Sequence, residues 1–598
     1  MTSATVQSAA PVVGHAMAAV FLPLGWKGGQ ELFKGEGINL VVDGFFALDN
    51  DHVRAEAKPR DDLAGRVAQL YQREGASFLR KLRGSFAIAL WDSQKRRLVL
   101  GTDHFGTRPL YVWSGEGLLA FAPRISYLAA RAEVPKCIDP NSLYFYLNHS
   151  FIPAPFTIYH DITRLGPGHC LIWENGRTSI VQYWDMAYPE DPGLDEDGAA
   201  DLVRSSVEES IRFLLHNEKH SGPELGAFLS GGTDSSTALG LMSRITGERI
   251  NSFSVGFDEM PYNEIHYSRV AAAHFNSRAH EYFVRPKEAL NDLPAIVQAF
   301  DEPFGNSSAI PTYFCVRAAR EIGVKVMFTG DGGDEFYAGN ERYLTEKVFS
   351  LYHRVPRWLK KATDFTAGLL PAIYPWRKVK NYVRKANLPP ADRFFDYQLY
   401  YRNHADEFFT EEFHARLNPD FPLYVPQEHF ERAGDVHWLN RLLYVDLKLA
   451  ISDNDLFKVN RMAESCGIQV RYPYLDKEVA AASARIPAKL KLKGCEKRYI
   501  FKKAFEDLLP REILKKKKHG FGLPTGDWLR SDPGFRGLAH SLLLDSRSLQ
   551  RGYFKPGAME ELLRKHDAEA SNYYGSHIWN FMMLEMWHRN HFDQPAMK

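Results

Sequence analysis

The 598-residue sequence predicts a two-part molecule: a strand-and-turn α+β region over 1–188, then an open parallel-sheet α/β domain with all-α elaborations over 200–598. Three observations predict this. Short apolar runs broken by glycine fill the first part. In the second, apolar strands alternate with long helical patterns, as in a sheet with crossover helices. Between them, Pro189-Glu190-Asp191-Pro192-Gly193-Leu194-Asp195-Glu196-Asp197-Gly198 reads as an exposed acidic linker.

In the first part, 40–42, 86–91 and 98–100 read as strands, punctuated by Gly84, Gly101, Gly106, Gly115, Gly117 and Gly168. One helix is expected over 62–80, with Leu63, Val67, Leu70 and Phe78 on or near one face. In the second part, 251–257 and 324–328 read as buried parallel strands. The stretch 345–440 is helical and aromatic. The ligand of such an open sheet sits outside the strand C-termini.

Composition narrows the class. A hydrophobic content of 45% is ample for full cores, and a net charge of +1 gives no global bias toward nucleic acid or membrane. The five cysteines are scattered and form no CxxC, which argues against a disulfide framework or zinc site and suits a reducing cytoplasm. No signal peptide or integral membrane segment is read.

The stretch 228–236, Phe-Leu-Ser-Gly-Gly-Thr-Asp-Ser-Ser, is the most informative. Ala227, Phe228 and Leu229 read as a strand end. Thr237, Ala238, Leu239, Leu241 and Met242 then repeat at helical spacing. Gly231 and Gly232 let an anion approach the backbone, and the helix N-terminus offers it free N–H groups. Ser230, Ser235 and Ser236 add hydroxyl donors. Such a loop holds a pyrophosphate, with Asp234 placed to hold Mg2+ beside it. A second acidic turn, Thr329-Gly330-Asp331-Gly332-Gly333-Asp334-Glu335, follows the strand at 324–328. Two acidic strand ends facing one crevice make a magnesium–ATP site, with Asp234 and Asp334 as the natural metal ligands.

The 228–236 loop resembles that of the N-type ATP pyrophosphatases, which implies cleavage of ATP to AMP and pyrophosphate through an adenylated substrate. The acidic turn, Asp301-Glu302-Pro303-Phe304, 307–311, 471–476 and 518–524 together resemble asparagine synthetase. Upstream, 82–92, 103–111 and 165–169 are similar to that family's glutaminase half, so the likeness spans nearly the whole chain. The resemblance implies an Ntn-hydrolase-like sandwich over 1–188 and an ATP-pyrophosphatase domain over 200–598. It implies that Leu229 and Val255 line the adenine and ribose pocket, near the backbone of Gly330. Ser230, Gly231, Gly232, Asp234, Ser235 and Ser236 would bind phosphates. Asp331 occupies the catalytic acid position, Asp455 that of a second carboxylate, and Lys518 that of the lysine steadying the pyrophosphate. The chemistry agrees: attack of a carboxylate on the α-phosphate concentrates negative charge, which a lysine and magnesium offset, and amide formation needs a base.

The chain departs from the family's glutamine site. Glutamine-dependent members start Met-Cys-Gly, whereas this sequence starts Met1-Thr2-Ser3-Ala4, and its first cysteine is Cys137. Val42-Asp43-Gly44-Phe45-Phe46 stands in place of Asn-Gly-Glu, and Arg60-Asp61-Asp62-Leu63 in place of Ser-Asp-Thr-Glu. The expectation is a degenerate glutaminase joined to an amide synthetase whose amine comes from the substrate or from free ammonia. The branch resembled is that of lasso-peptide cyclases, which join a peptide's N-terminal amine to an Asp or Glu side chain. β-Lactam synthetase, an ammonia-using asparagine synthetase and a non-catalytic scaffold are the alternatives. Expected partners are a peptide or small-molecule carboxylate and a precursor-processing protease or leader-binding protein, with no nucleic acid. Thr233 replaces the family's aliphatic residue, and Asn460 stands where aspartate is common. From 347 to 385 there are ten Lys or Arg and one acid, Asp364, interleaved with Trp358, Tyr374, Trp376 and Tyr382. That stretch reads as a solvated amphipathic face or a docking surface for an acidic or aromatic peptide.

Overall fold

The computed structural model describes residues 31–593 apart from 36, 49–62, 116–117, 219–220, 260–261, 354, 357, 361–362, 364–365, 367–375, 517–522 and 569–572. The chain forms two compact units. One comprises Met1–Ser142, Ile152–Asp185 and Trp587–Lys598, the other Leu143–Phe151 and Met186–Met586.

The first unit is layered by the period-two alternation of its strands. A six-stranded sheet has the order β1 (Glu31–Gly35), β2 (Ile38–Leu48), β3 (Leu82–Asp92), β4 (Arg97–Thr102), β8 (His169–Glu174), β9 (Arg177–Gln182). A three-stranded sheet has the order β6 (Leu118–Ala122), β5 (Tyr111–Gly115), β7 (Ile162–Arg164). All of these neighbours pair antiparallel, so the unit is a two-sheet sandwich. In β3, Phe86, Ile88 and Leu90 join the core around helix α1 (Leu63–Glu74). Ala87 and Ala89 join the core shared with Val112, Leu119 and Phe121 of the smaller sheet. The helix expected over 62–80 continues past Glu74 as 3-10 turns over Gly75–Lys81. Gly75, at φ +60°, ends the α geometry. The turn after β4 is pinned by buried Asp103, whose carboxylate accepts from the N–H groups of Phe86, Phe105 and Thr107 at 2.9–3.1 Å.

The second unit holds a five-stranded parallel sheet with the order β12 (Arg278–Phe283), β11 (Asn251–Gly256), β10 (Leu225–Phe228), β13 (Val326–Phe328), β14 (Gln469–Arg471). The strands predicted at 251–257 and 324–328 are β11 and β13. The order runs outward one way from β10 to β12 and the other way from β13 to β14. The topological switch point, where open sheets bind ligands, therefore lies between β10 and β13. Their register, Leu225↔Val326 to Ala227↔Phe328, ends both strands at one level, so the two loops leave side by side. The helices Glu341–His353, Trp376–Asn387, Phe421–Arg432 and Trp438–Asp446 form the α elaboration.

The stretch expected as an exposed linker is partly fixed. Asp195 caps the helix Glu196–His216 by accepting from the Gly198 N–H at 2.8 Å, so its last residues are helical. Glu190 accepts from Asn440 at 2.6 Å and from the Ala488 N–H at 3.1 Å. Hydrogen bonding within the second unit overrides the loop signal of its prolines and glycines. Among the described residues no helix is long and apolar enough to cross a membrane.

Candidate active site

Between β10 and β13 opens a cleft of about 1010 Å³ within the second unit. Leu229, Ser230, Gly232, Asp234, Ser235, Val255, Gly330, Asp331, Asp334 and Asp455 all line it. These ten were picked from the sequence, and the fold brings them together from four separate segments.

The first loop turns at Gly231, which has φ +66°. A Cβ there would lie 2.4 Å from the carbonyl carbon of Tyr267, so only glycine fits. Helix α2 (Thr233–Thr246) begins at once, its N-terminus aimed into the cleft. Ser235 Oγ accepts from the Ser230 N–H at 3.3 Å and lies 3.1 Å from Ser230 Oγ. The two hydroxyls are thereby arranged on one side of the loop. Leu229 is fixed from below: its N–H donates to the Phe253 carbonyl at 2.8 Å, and its carbonyl accepts from Ser254 Oγ at 2.7 Å.

The second loop approaches the first closely. A Cβ on Gly330 would sit 2.8 Å from the Ser235 nitrogen, and one on Gly333 would sit 2.5 Å from Cγ of Asp234. The missing side chains let the acidic turn pack onto α2. Asp234 and Asp334 thus converge, and the cation they converge on is Arg498. Its guanidinium donates to Asp234 Oδ1 at 2.5 Å and Oδ2 at 2.6 Å, to Asp334 Oδ1 and to Thr233 Oγ1. Burial raises the Asp234 carboxyl above its ordinary range, with Arg498 opposing.

This donor set fits magnesium. Two carboxylates already gather round one cation, and magnesium takes one or two carboxylates plus phosphate oxygens rather than a full protein cage. No cluster of three or more His, Cys, Asp or Glu that could hold a metal ion occurs among the described residues.

Beside Asp234 and Asp334 in the same cleft lies a second charged cluster, Asp331, Asp455 and Lys458. Asp331 follows β13, and its N–H donates to Thr329 Oγ1 at 3.2 Å. Asp455 ends a widened helical stretch, Leu447–Asp455, of π type, a form frequent at functional sites. One turn on, in the helix Leu456–Ser465, Lys458 Nζ donates to Asp455 Oδ1 at 2.6 Å. Burial, then the Asp455 carboxylate, push Asp331 up to about 6, with Lys458 and the Thr329 hydrogen bond opposing and Asp234 adding to the rise. Burial and then Asp446 hold Glu335 well above the usual carboxylate range.

Three sequence-picked residues stand apart. Ser236 is fully buried on α2, its Oγ has no hydrogen-bond partner among the described residues, and it does not line the cleft. The helical turn carries it to the inner face while Ser235 faces the opening. Gly231 shapes the loop from behind without lining the cleft. Lys518 lies outside the described residues, as do Thr2, Ser3, Arg60, Asp61 and Asp62.

Lys516, from the same basic run as Lys518, does line the cleft. Its Nζ donates to the Ser230 carbonyl at 3.1 Å and to Glu264 Oε2 at 3.0 Å. Lys458, Arg498 and Lys516 were not picked from the sequence. Lys458 had a signal, the i,i+3 spacing to Asp455. Arg498 had none, being 264 residues from Asp234. The two departures at 233 and 460 are both accommodated. Thr233 accepts from Arg498, and Asn460 Oδ1 accepts from the Tyr472 hydroxyl at 2.8 Å.

Known proteins place this arrangement. The asparagine synthase family model matches residues 204–589. The glutamine amidotransferase domain model matches residues 62–184. The chain is 26% identical over 530 residues to asparagine synthetase [glutamine-hydrolyzing] 1 of Bacillus subtilis, covering 88% of this chain and 80% of that protein. It is 27% identical over 536 residues to a putative glutamine-hydrolyzing asparagine synthetase of Mycobacterium tuberculosis, covering 87% and 78%. It is 24% identical over 576 residues to amidase chyE of Penicillium rubens, covering 86% and 81%. With its parallel sheet, its two facing loops and a match across most of its length, the chain belongs to the asparagine synthase family of ATP-dependent carbon–nitrogen ligases.

Proposed function

We propose that this chain adenylates a peptide side-chain carboxylate and closes it onto the same peptide's N-terminal amine, as a lasso-peptide macrolactam cyclase working without glutamine hydrolysis. The observation that carries the ligase chemistry is the convergence in one cleft of the serine–glycine loop, the acidic turn and the Asp331–Asp455–Lys458 cluster. The cleft volume of about 1010 Å³ is at the upper end of the range of roughly 300–1,000 Å³ for small-ligand sites, room for a nucleotide with an acyl group beside it.

The chemistry runs in two displacements. The substrate carboxylate attacks the α-phosphorus of ATP and expels pyrophosphate. Ser230, Gly232 and Ser235 with the N-terminus of α2 hold phosphate oxygens, and Lys516 adds positive charge at the loop. Magnesium bound at Asp234 and Asp334 would neutralise the pyrophosphate. The amine then attacks the acyl carbon and AMP leaves. Asp331, raised toward neutrality, accepts the amine's proton, and Lys458 holds the neighbouring Asp455 carboxylate in place by its hydrogen bond.

Independence from glutamine is supported in the first unit. Strand β2 runs unbroken through 42–46, paired to β3 from Val42↔Ile88 to Phe46↔Gly84. Phe45 stands at the glutamate position of the family's Asn-Gly-Glu, and the next residue, Phe46, is buried with its ring 5.9 Å from that of Phe86.

The test is incubation of the full chain with ATP, magnesium and a candidate precursor peptide, read by mass spectrometry. Loss of one water per peptide with AMP release is expected. Glutamate release from glutamine with no dehydrated peptide would refute the reading. The names of the bacterial relatives favour a second one, an ammonia-using asparagine synthetase. Free aspartate would then drive ATP–pyrophosphate exchange, which the cyclase reading does not expect.

A further inference from the structure

Arg498 holds a place that the ligase chemistry leaves unexplained. Its guanidinium nitrogens are spent on one small cage: both oxygens of Asp234, Oδ1 of Asp334 and Oγ1 of Thr233. The three charged side chains are nearly closed to solvent, at 10%, 12% and 14% exposure for Arg498, Asp234 and Asp334. The backbone is committed to this arrangement. Arg498 has φ +56°, a left-handed conformation that non-glycine residues adopt only when their surroundings impose it. It directly precedes the helix Tyr499–Ala504, whose Phe501 is fully buried and packs against Tyr337 with ring centroids 5.1 Å apart. The side chain is thus delivered to the cage from a fixed base.

We infer that Arg498 is a built-in cation that keeps the Asp234–Asp334 pair closed to divalent metal until nucleotide arrives. The inference rests on the reading of those two carboxylates as the metal-holding pair. A guanidinium cannot be neutralised by losing a proton, so a metal ion can enter only by moving it. A bare divalent ion must break a bidentate ion pair, and it offers the freed guanidinium nothing in return. A metal–nucleotide complex brings phosphate oxygens, which match the guanidinium fork as well as carboxylates do. The cleft that contains Arg498 also contains Ser230, Gly232 and Ser235, so phosphates held by that loop would share one cleft with the guanidinium. Metal and nucleotide then bind as one unit, and Arg498 becomes a positioning residue for the phosphates.

The experiment measures Mn2+ binding to the full chain by electron paramagnetic resonance, without nucleotide and with a non-hydrolysable ATP analogue. Wild type should bind Mn2+ weakly alone and tightly with the analogue. Arg498→Gln should bind Mn2+ alone more tightly by about tenfold or more, a factor worth roughly 1.4 kcal/mol. Adding Asp234→Asn to that variant should abolish the gain. Arg498→Lys, which keeps one positive charge but not the fork, should fall between them, and it carries the comparison if the glutamine variant does not fold by its thermal melt. Equal nucleotide-free affinity in wild type and variants, with loss only in Asp234→Asn, would overturn this role for Arg498 and leave the metal pair standing. Binding that Asp234→Asn leaves unchanged, with and without the analogue, would overturn both.

Discussion

Asp331 sits at a strand end among charges of both signs, and its titration should govern the acid side of the reaction. The groups facing it are Asp455 and Asp234, which raise it, and Lys458, which opposes them. Its base form is present above about 6 and is lost as the pH falls through that value, so amide formation should decline below pH 6. Asp331→Asn should lower the rate of amide formation by roughly 10²–10⁴, the usual worth of a positioned base, while leaving ATP–pyrophosphate exchange largely intact. Asp455→Asn should move the acid limb of the pH–rate profile to lower pH, because it removes the carboxylate that pushes Asp331 up. A limb that stays in place would assign the titration to another group.

At the scale of the element, the helix Leu456–Ser465 does two jobs. It carries Lys458 to the cleft. Three residues on, it carries Arg461 to Asp301, with nitrogen and oxygen 3.1 Å apart and both side chains almost wholly buried. Arg461 also reaches Glu464 at 2.9 Å. This pair ties the helix to the segment that leads into 306–308, where Asn306 donates to Asn454 Oδ1 at 2.9 Å and accepts from Ser308. Burying a lone carboxylate costs far more than the pair contributes. Arg461→Met should therefore destabilise the second unit by roughly 3–5 kcal/mol, seen as a lower midpoint in thermal unfolding. The double variant Arg461→Met with Asp301→Leu should recover part of the loss. No recovery would mean that the pair is not what holds the helix.

At the scale of the molecule, neither unit is one continuous stretch. Leu143–Phe151 belongs to the unit that otherwise begins at Met186. Within that unit the Tyr146 hydroxyl donates to the Asn580 carbonyl at 2.8 Å, and the His149 ring lies 2.9 Å from Gln398 Oε1 and 2.8 Å from the Pro422 carbonyl. Leu143, Tyr144, Phe145, Tyr146 and Leu147 are all buried to within 1%. At about 1.5–3 kcal/mol per large apolar side chain, their loss would amount to roughly 10 kcal/mol, as much as the whole margin of a typical domain. A fragment starting at 186 should therefore lack a cooperative thermal transition under conditions where the full chain shows one. A sharp transition from that fragment would show that these residues are dispensable.

The family resemblance supplied Leu229, Val255, Gly330 and Asp455 of the cleft, and the sequence by itself determined β2, β3, β4, β10, β11 and β13 and the two glycine-rich loops. These are encoded locally: apolar runs, glycines where backbones must approach, and acids placed next to strand ends. The tertiary structure alone decided that Ser236 turns inward, that the acidic stretch after 188 is pinned rather than free, and that 143–151 packs with the later unit. It alone brought Arg498 to Asp234 and Asp334, and Lys516 to Ser230. Those choices depend on which distant surfaces exclude water together, and a contact across 264 residues leaves no periodicity or spacing to read.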